Sequence, residues 1–390
     1  MICTIDCGKM VSREAAFEHI RQALDIRDYM GSNLDALWDV LGGFAGEIRI
    51  VGREKLALPD GYGEKILQVF EEAAQENDGI RLEYITEEPR DRSGCLIAPP
   101  LREGGTIGIC SPSHIADREG YEPVIAAMKA LGFRVKEAPN LYKATYGYLA
   151  SPQERADDFN ALIADDEVDM VFFGGGEAGN ELLPLIDYEN IKAHPKRICS
   201  YSDGTFVLTA VWSMTGMSVY YGSSPSMFAE PTAYNLRSFR EHIMADAASH
   251  QKNSEWKTLT GGSAEGILWG GYLRNAALMA GCSPYLRISP EEKYVLLLED
   301  HEQFGDRAYV SAMLTHIEQT GFMDRVSGIL FGHYSETEYP ELFARLARMG
   351  EKYSVPVVYC DDFGHGVNKG IFDIGRRVRF DADSRTLEYI

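Results

Sequence analysis

No stretch of this 390-residue chain is apolar for long enough to suggest a membrane span, and the opening MICTIDCGKM has none of the organisation of a secretory leader. A cytoplasmic location is the expectation. The seven cysteines are scattered without CxxC spacing, so neither a disulfide framework nor a zinc site is suggested. Positive charge is scarce: 38 Lys and Arg stand against 59 Asp and Glu, a formal net charge of -21. Phosphate backbones are bound by clustered Lys and Arg, and no such stripe is present, which argues against nucleic acid as a partner. The 45% hydrophobic content suits globular domains with substantial cores.

Residues 1–88 alternate strand and helix patterns. Ile2–Ile5, Glu47–Val51 and Ile80–Ile85 read as strands. Ser12 caps a helix carrying Phe17, Ile20 and Leu24, and further helices cover Asn33–Leu41 and Gly63–Gln75. A small three-stranded parallel sheet follows. On the second helix Leu34, Leu37, Trp38 and Leu41 form an apolar stripe, and Asp35 and Asp39 place two carboxylates on the other face. Like charges four residues apart repel, which suits a cationic partner, although the charge pair alone favours a solvated helix face. Residues 89–103 read as a linker, polar with turn formers and closed by Pro99-Pro100.

From 104 the α/β pattern resumes. Over 104–235, buried strands at Thr106–Cys110, Phe133–Ala138, Val168–Phe173, Ile198–Tyr201 and Ser218–Tyr221 imply a sheet of about five parallel strands, with ligands beyond their carboxyl ends. Gly174-Gly175-Gly176 and Ser202 both lie there. The triple glycine lacks the lysine of a phosphate loop; it serves as a tight turn or as a source of backbone N–H donors. In Ser200-Tyr201-Ser202-Asp203-Gly204 small residues flank Ser202 at a strand-to-helix turn, a spacing that permits a nucleophile elbow as well as a capped turn. Cys199 sits within the apolar strand and reads as core. Over 255–390 the pattern is of a mixed α/β subdomain, with Gly261–Gly266 and Gly270-Gly271 read as turns. Glu299 ends one strand and His365 follows another in a glycine-flanked loop, positions suited to an orienting acid and a base. By spacing alone Asp300, His301 and His333 compete with them.

Two resemblances add to these patterns. The run Tyr29-Met30-Gly31-Ser32-Asn33-Leu34-Asp35-Ala36-Leu37-Trp38-Asp39, with Leu67–Ala73, resembles barstar, the intracellular inhibitor of barnase-type ribonucleases. It implies a ribonuclease-binding surface carried by Tyr29, Asn33, Asp35, Trp38, Asp39 and Glu76. Thr106–Ser113, Leu182–Tyr188, Tyr201-Ser202-Asp203, Leu298-Glu299-Asp300 and Asp362-Phe363-Gly364-His365 resemble the LD-carboxypeptidase family of serine peptidases, in order. That resemblance implies a flavodoxin-like subdomain followed by a mixed one, and a Ser202–Glu299–His365 triad. The oxyanion hole would be the backbone N–H of Asp203 with that of Gly175 or Gly176. The chain departs in having Ser200 where the family usually has glycine, and Gly175–Asn180 is similar to the microcin C immunity branch. The implied substrate is a muropeptide with an L-residue–D-Ala bond, or a peptidyl- or aminoacyl-nucleotide. No metal or organic cofactor is expected. Expected partners are that small substrate, a ribonuclease at residues 1–88, and a second copy in a homodimer, with no nucleic acid and no membrane.

Overall fold

The computed structural model describes the chain except residues 1, 25, 27–30, 54–55, 57, 59–60, 86–93 and 115–116. It divides into two compact units, Met1–Glu88 and Pro89–Ile390.

In the first unit β1 (Ile2–Asp6), α1 (Arg13–Ala23), α2 (Leu34–Gly42), β2 (Gly46–Val51), α3 (Tyr62–Glu76) and β3 (Ile80–Ile85) follow in order. The strands form a parallel sheet, β1-β2-β3, with Ile5 opposite Ile50 and Ile48 opposite Leu82. Ser12 caps α1 by accepting from the Ala15 N–H at 3.2 Å, and Asn33 caps α2 by accepting from Ala36 at 2.8 Å. Each cap satisfies a backbone donor that a helix start otherwise leaves unpaired. Leu37 and Leu41 enter a core with Phe17, Ile20, Ile50, Ile66 and Phe70. Trp38 packs half-buried against that core, while Asn33, Asp35, Asp39 and Glu76 are exposed. Tyr29 lies outside the described residues.

The second unit begins before its first strand. Residues 94–103 are no free tether: Leu96, Ala98 and Leu101 are buried, and Leu96 bridges to Met217. The apolar run Cys95–Ala98 outweighs the turn-forming prolines, whose neighbourhood is pinned by the Arg197 guanidinium donating to the Ala98 and Pro99 carbonyls at 3.2 Å. The elements that follow are β4 (Thr106–Ile109), α4 (Arg118–Ala130), β5 (Arg134–Glu137), α5 (Pro152–Ala164), β6 (Met170–Phe172), α6 (Tyr188–Ala193), β7 (Arg197–Ser200), α7 (Thr205–Thr215), β8 (Val219–Tyr221) and α8 (Ala233–His242). Then come β9 (Lys257–Thr260), β10 (Ser263–Tyr272), α9 (Leu273–Cys282), β11 (Tyr294–Glu299), α10 (Arg307–Gln319), β12 (Val326–His333), α11 (Pro340–Tyr353), β13 (Val357–Gly364), β14 (Phe372–Ile374), β15 (Arg377–Asp381) and β16 (Thr386–Tyr389).

One sheet runs β14-β8-β7-β6-β4-β5 and the other β16-β15-β10-β11-β12-β13-β9. In the first, β5-β4-β6-β7-β8 are parallel, the strand order of flavodoxin-like sheets. Its last strand is unexpected: β14, from the C-terminal stretch, pairs antiparallel with β8. The second sheet is parallel at its centre and antiparallel at its edges. A further correction concerns Gly266, Gly270 and Gly271, which lie inside β10 rather than in turns. A Cβ on Gly270 would meet the Leu297 carbonyl oxygen at 2.0 Å, and one on Gly271 the Thr205 hydroxyl at 2.4 Å. Close approach of strand to strand and strand to helix, not chain reversal, is what requires glycine here.

Candidate active site

Ser202 follows β7 at the carboxyl edge of the first sheet, with φ +54°, a conformation that L-residues adopt only under constraint. Two contacts hold it there, and a third fixes one of its partners. Its N–H donates to the Tyr221 hydroxyl at 3.0 Å, its carbonyl accepts from the Thr205 hydroxyl at 2.7 Å, and that hydroxyl accepts from the Tyr272 N–H at 2.9 Å. Ser200, two residues before, is fully buried and packs where a Cβ on Gly204 would lie 2.1 Å from its hydroxyl. A serine is therefore accommodated at this position because Gly204 has no side chain.

Glu299 ends β11 fully buried, and His365 directly follows β13. The His365 ring joins the two strands' ends to the serine: Nδ1 lies 2.8 Å from Glu299 Oε2 and Nε2 lies 3.1 Å from Ser202 Oγ. The second oxygen of Glu299 accepts from the Tyr221 hydroxyl at 2.6 Å. Tyr221 thus links the carboxylate to the backbone of the serine, and each oxygen of the buried Glu299 has a hydrogen-bond partner. Gly364, at φ +109°, brings the histidine loop close; a Cβ there would stand 3.2 Å from Glu299 Oε2.

The glycine loop after β6 forms the opposite wall. A Cβ on Gly175 would meet Ser202 Cβ at 2.5 Å, and one on Gly176 (φ +147°) the Ser113 carbonyl oxygen at 2.0 Å. Asp203 ties this loop to the serine turn through its side chain. Its carboxylate accepts from the Gly179 N–H at 2.7 Å and from the Asn275 amide at 2.9 Å. Burial pushes that carboxyl up to about 6.

The competing residues stand elsewhere. His333 Nδ1 is 2.8 Å from Asp361 Oδ1, and the His301 ring centroid is 6.1 Å from that of His365. Asp300 is buried beside Glu299, accepts from the His301 N–H at 2.8 Å, and is pushed up to about 7, first by burial and then by the neighbouring carboxylate. Cys199 is fully buried in β7 with its thiol pushed well up by burial. Tyr221, Thr205 and Asn275 escaped the sequence reading. The only trace of Tyr221 in the sequence is a tyrosine at the carboxyl end of a strand, where side chains reach ligands.

Ser202, Gly175, Gly176 and His365 line a cavity of about 880 Å³. Aromatic side chains form much of its wall, and Glu177 and Arg274, ion-paired at 3.0 Å, also line it.

A serine in a strained strand-to-helix turn, bonded to a histidine that is oriented by a buried carboxylate, is the arrangement of a serine hydrolase site. Residues 107–222 match the LD-carboxypeptidase N-terminal domain, residues 265–380 the LD-carboxypeptidase C-terminal domain, and residues 1–87 barstar, the barnase inhibitor. A carboxypeptidase-family protein of Vibrio cholerae is 28% identical over 333 residues, covering 75% of this chain and 97% of its own length. The microcin C7 self-immunity protein MccF of Escherichia coli is 31% identical over 147 residues, 36% of this chain and 43% of that protein. In fold, an MccF-like protein from Bacillus anthracis superposes with TM-score 0.68 at 22% identity, over 76% of this chain and 99% of its own. The chain belongs to the LD-carboxypeptidase family of peptidases and carries a barstar-type domain ahead of it.

Proposed function

We propose that the second unit hydrolyses an amide bond with Ser202 as nucleophile, His365 as general base and then acid, and Glu299 as the group that orients and stabilises the imidazolium. The observation that carries this is the pair of contacts from Ser202 to His365 and from His365 to Glu299, at 3.1 and 2.8 Å. Nε2 takes the Oγ proton as the serine attacks the carbonyl carbon. The oxyanion forms between the backbone N–H of Asp203 and that of Gly175 or Gly176, and the loop is held to the turn by the Asp203 carboxylate. Collapse expels the amine with the proton returned from His365, and water releases the acyl group by the reverse sequence.

The family supports a muropeptide as substrate, cleaved between an L-residue and a terminal D-Ala. A second substrate reading, an aminoacyl- or peptidyl-nucleotide, is favoured by the fold neighbours, since MccF has been solved with aspartyl sulfamoyl adenosine and with glutamyl sulfamoyl guanosine. Incubating the protein with a tetrapeptide ending in D-Ala, and separately with an aspartyl-adenosine phosphoramidate, distinguishes them by the product released. Turnover by wild type that Ser202→Ala abolishes is the expected result. Equal turnover by both proteins would remove Ser202 from the mechanism.

For the first unit we propose capture of a basic ribonuclease by the α2 face. Asp35 and Asp39 are exposed there, and no ion pair engages them among the described residues. Calorimetric titration with a barnase-type ribonuclease is expected to give heat that the double variant Asp35→Ala, Asp39→Ala loses. No heat with wild type at micromolar concentrations would end this reading.

A further inference from the structure

Resting on the reading of Ser202 as nucleophile, we propose that Arg274 is the substrate anchor, holding an oxyanion of the substrate next to the scissile amide. That oxyanion is the terminal carboxylate of a peptide or the phosphate of a nucleotide.

Arg274 is the second residue of α9 and lines the same cavity as Ser202 and His365. Its guanidinium meets Glu177 end-on, through both terminal nitrogens: Nη1 donates to Oε1 at 3.1 Å, and Nη2 lies 3.0 Å from Oε2. Glu177 directly follows Gly175 and Gly176, so this pair reaches from α9 to the loop expected to supply an oxyanion donor. A guanidinium has five N–H donors in a planar fork, and one carboxylate leaves part of that fork unused.

The cavity offers an anion no second permanent cation among its described lining residues. His114, which also lines it, is held neutral because burial pushes it down to about 4. Lys369 stands behind the Tyr201 ring, 5.0 Å from its centre, and its ammonium donates to the Gly364 carbonyl at 3.1 Å. It lines a different cavity. The net charge of -21 repels anions at long range, so an anionic substrate depends on a local donor. A carboxypeptidase has to distinguish a chain end from an internal peptide bond, and the released residue's carboxylate is the group that marks it.

The resident partner is displaceable. The side chains of Arg274 and Glu177 are 39% and 69% exposed, and an ion pair so open to water contributes little, so exchange of one carboxylate for another costs little. Glu177 then acts as a placeholder that holds the fork toward the cavity.

Two substrate pairs test the assignment and separate its sources. One is a tetrapeptide ending in D-Ala and the same peptide as its C-terminal amide. The other is an aspartyl-adenosine phosphoramidate and its neutral methyl ester. In whichever series wild type turns over, it should prefer the anionic member by about 10–100-fold in kcat/KM, the range of a charge-assisted hydrogen bond. Arg274→Gln is expected to lose that preference and Arg274→Lys to retain part of it. Glu177→Gln, which frees the fork, should raise the preference. If the pair only pinned the glycine loop, Arg274→Gln and Glu177→Gln would act in the same direction, and the proposal would be wrong. It would equally fail if Arg274→Gln kept the preference, or if wild type bound neither anionic member better than its neutral partner. Labelling of Ser202 by a fluorophosphonate, carried out on each variant, reports the nucleophile independently. Labelling with the preference intact in Arg274→Gln overturns only the anchor, whereas absence of labelling in wild type overturns the hydrolase reading itself.

Discussion

At the scale of single residues, Tyr221 does the least visible and most connected job in the site. Its hydroxyl donates to Glu299 and accepts from the Ser202 N–H, so one buried atom fixes both ends of the relay. Tyr221→Phe leaves a buried carboxylate oxygen and a buried N–H without partners. Each such loss is worth ~1–3 kcal/mol. The variant should lose about 10–100-fold in kcat with KM little changed, because the misplaced groups act on the transition state rather than on ground-state binding. Steady-state kinetics on the identified substrate read this directly, and a change confined to KM would contradict it. Asp300 makes a separate, thermodynamic prediction. Its carboxyl is raised from an ordinary 3.8 to about 7 by burial and by Glu299. The native state therefore binds this proton more tightly than the unfolded chain does. The stability it contributes is fully present below about pH 4 and is lost as pH rises through about 7. Asp300→Asn removes that slope, so the variant's melting temperature relative to wild type should increase between pH 5 and pH 8. A difference that is flat or of opposite sign would show that Asp300 does not titrate in this way.

At the scale of elements, legibility followed periodicity. Helices with caps and apolar stripes were readable: Ser151-Pro152 opens α5 with a reciprocal capping box, and Asn33 opens α2. Strands buried on both faces, such as β7 and β11, stood out as short apolar runs. Failures came where tertiary contact overrode local composition. The glycines of β10 look like turn formers in sequence, yet they mark where Leu297 and Thr205 approach the backbone too closely for any side chain. Nothing local in Phe372–Ile374 announces that it leaves its own sheet to pair with β8. Strand ends made Ser202, Glu299 and His365 candidates, but Asp300, His301 and His333 competed with them by spacing, and only the resemblance to the LD-carboxypeptidase family singled out the three. Tyr221 was not legible, because a tyrosine closing an apolar strand is equally at home in a core. The glycine loop makes the sharpest test at this scale. Gly176→Ala would place a methyl group 2.0 Å from the Ser113 carbonyl oxygen at a φ of +147°. Backbone must shift, and with it the expected oxyanion donors. A loss of about 100-fold or more in kcat is expected, the size seen when an oxyanion donor is displaced. Retained activity would move the oxyanion hole away from this loop.

At the scale of the molecule, the site belongs to neither sheet alone. Ser202, Tyr221 and the glycine loop come from the first sheet, Glu299 and His365 from the second, and β14 laces the second stretch of chain into the first sheet. The relay can exist only when both sheets are folded and docked within the second unit. The first unit has its own core and its own acidic helix face, with no part in that relay. Mass spectrometry after exposure to a fluorophosphonate addresses the central proposal without knowledge of the substrate. The account predicts one covalent adduct per chain, on the peptide containing Ser202, absent in Ser202→Ala and strongly slowed in His365→Ala. An unlabelled Ser202 in the folded wild-type protein, or an adduct on another residue that persists in Ser202→Ala, would contradict it.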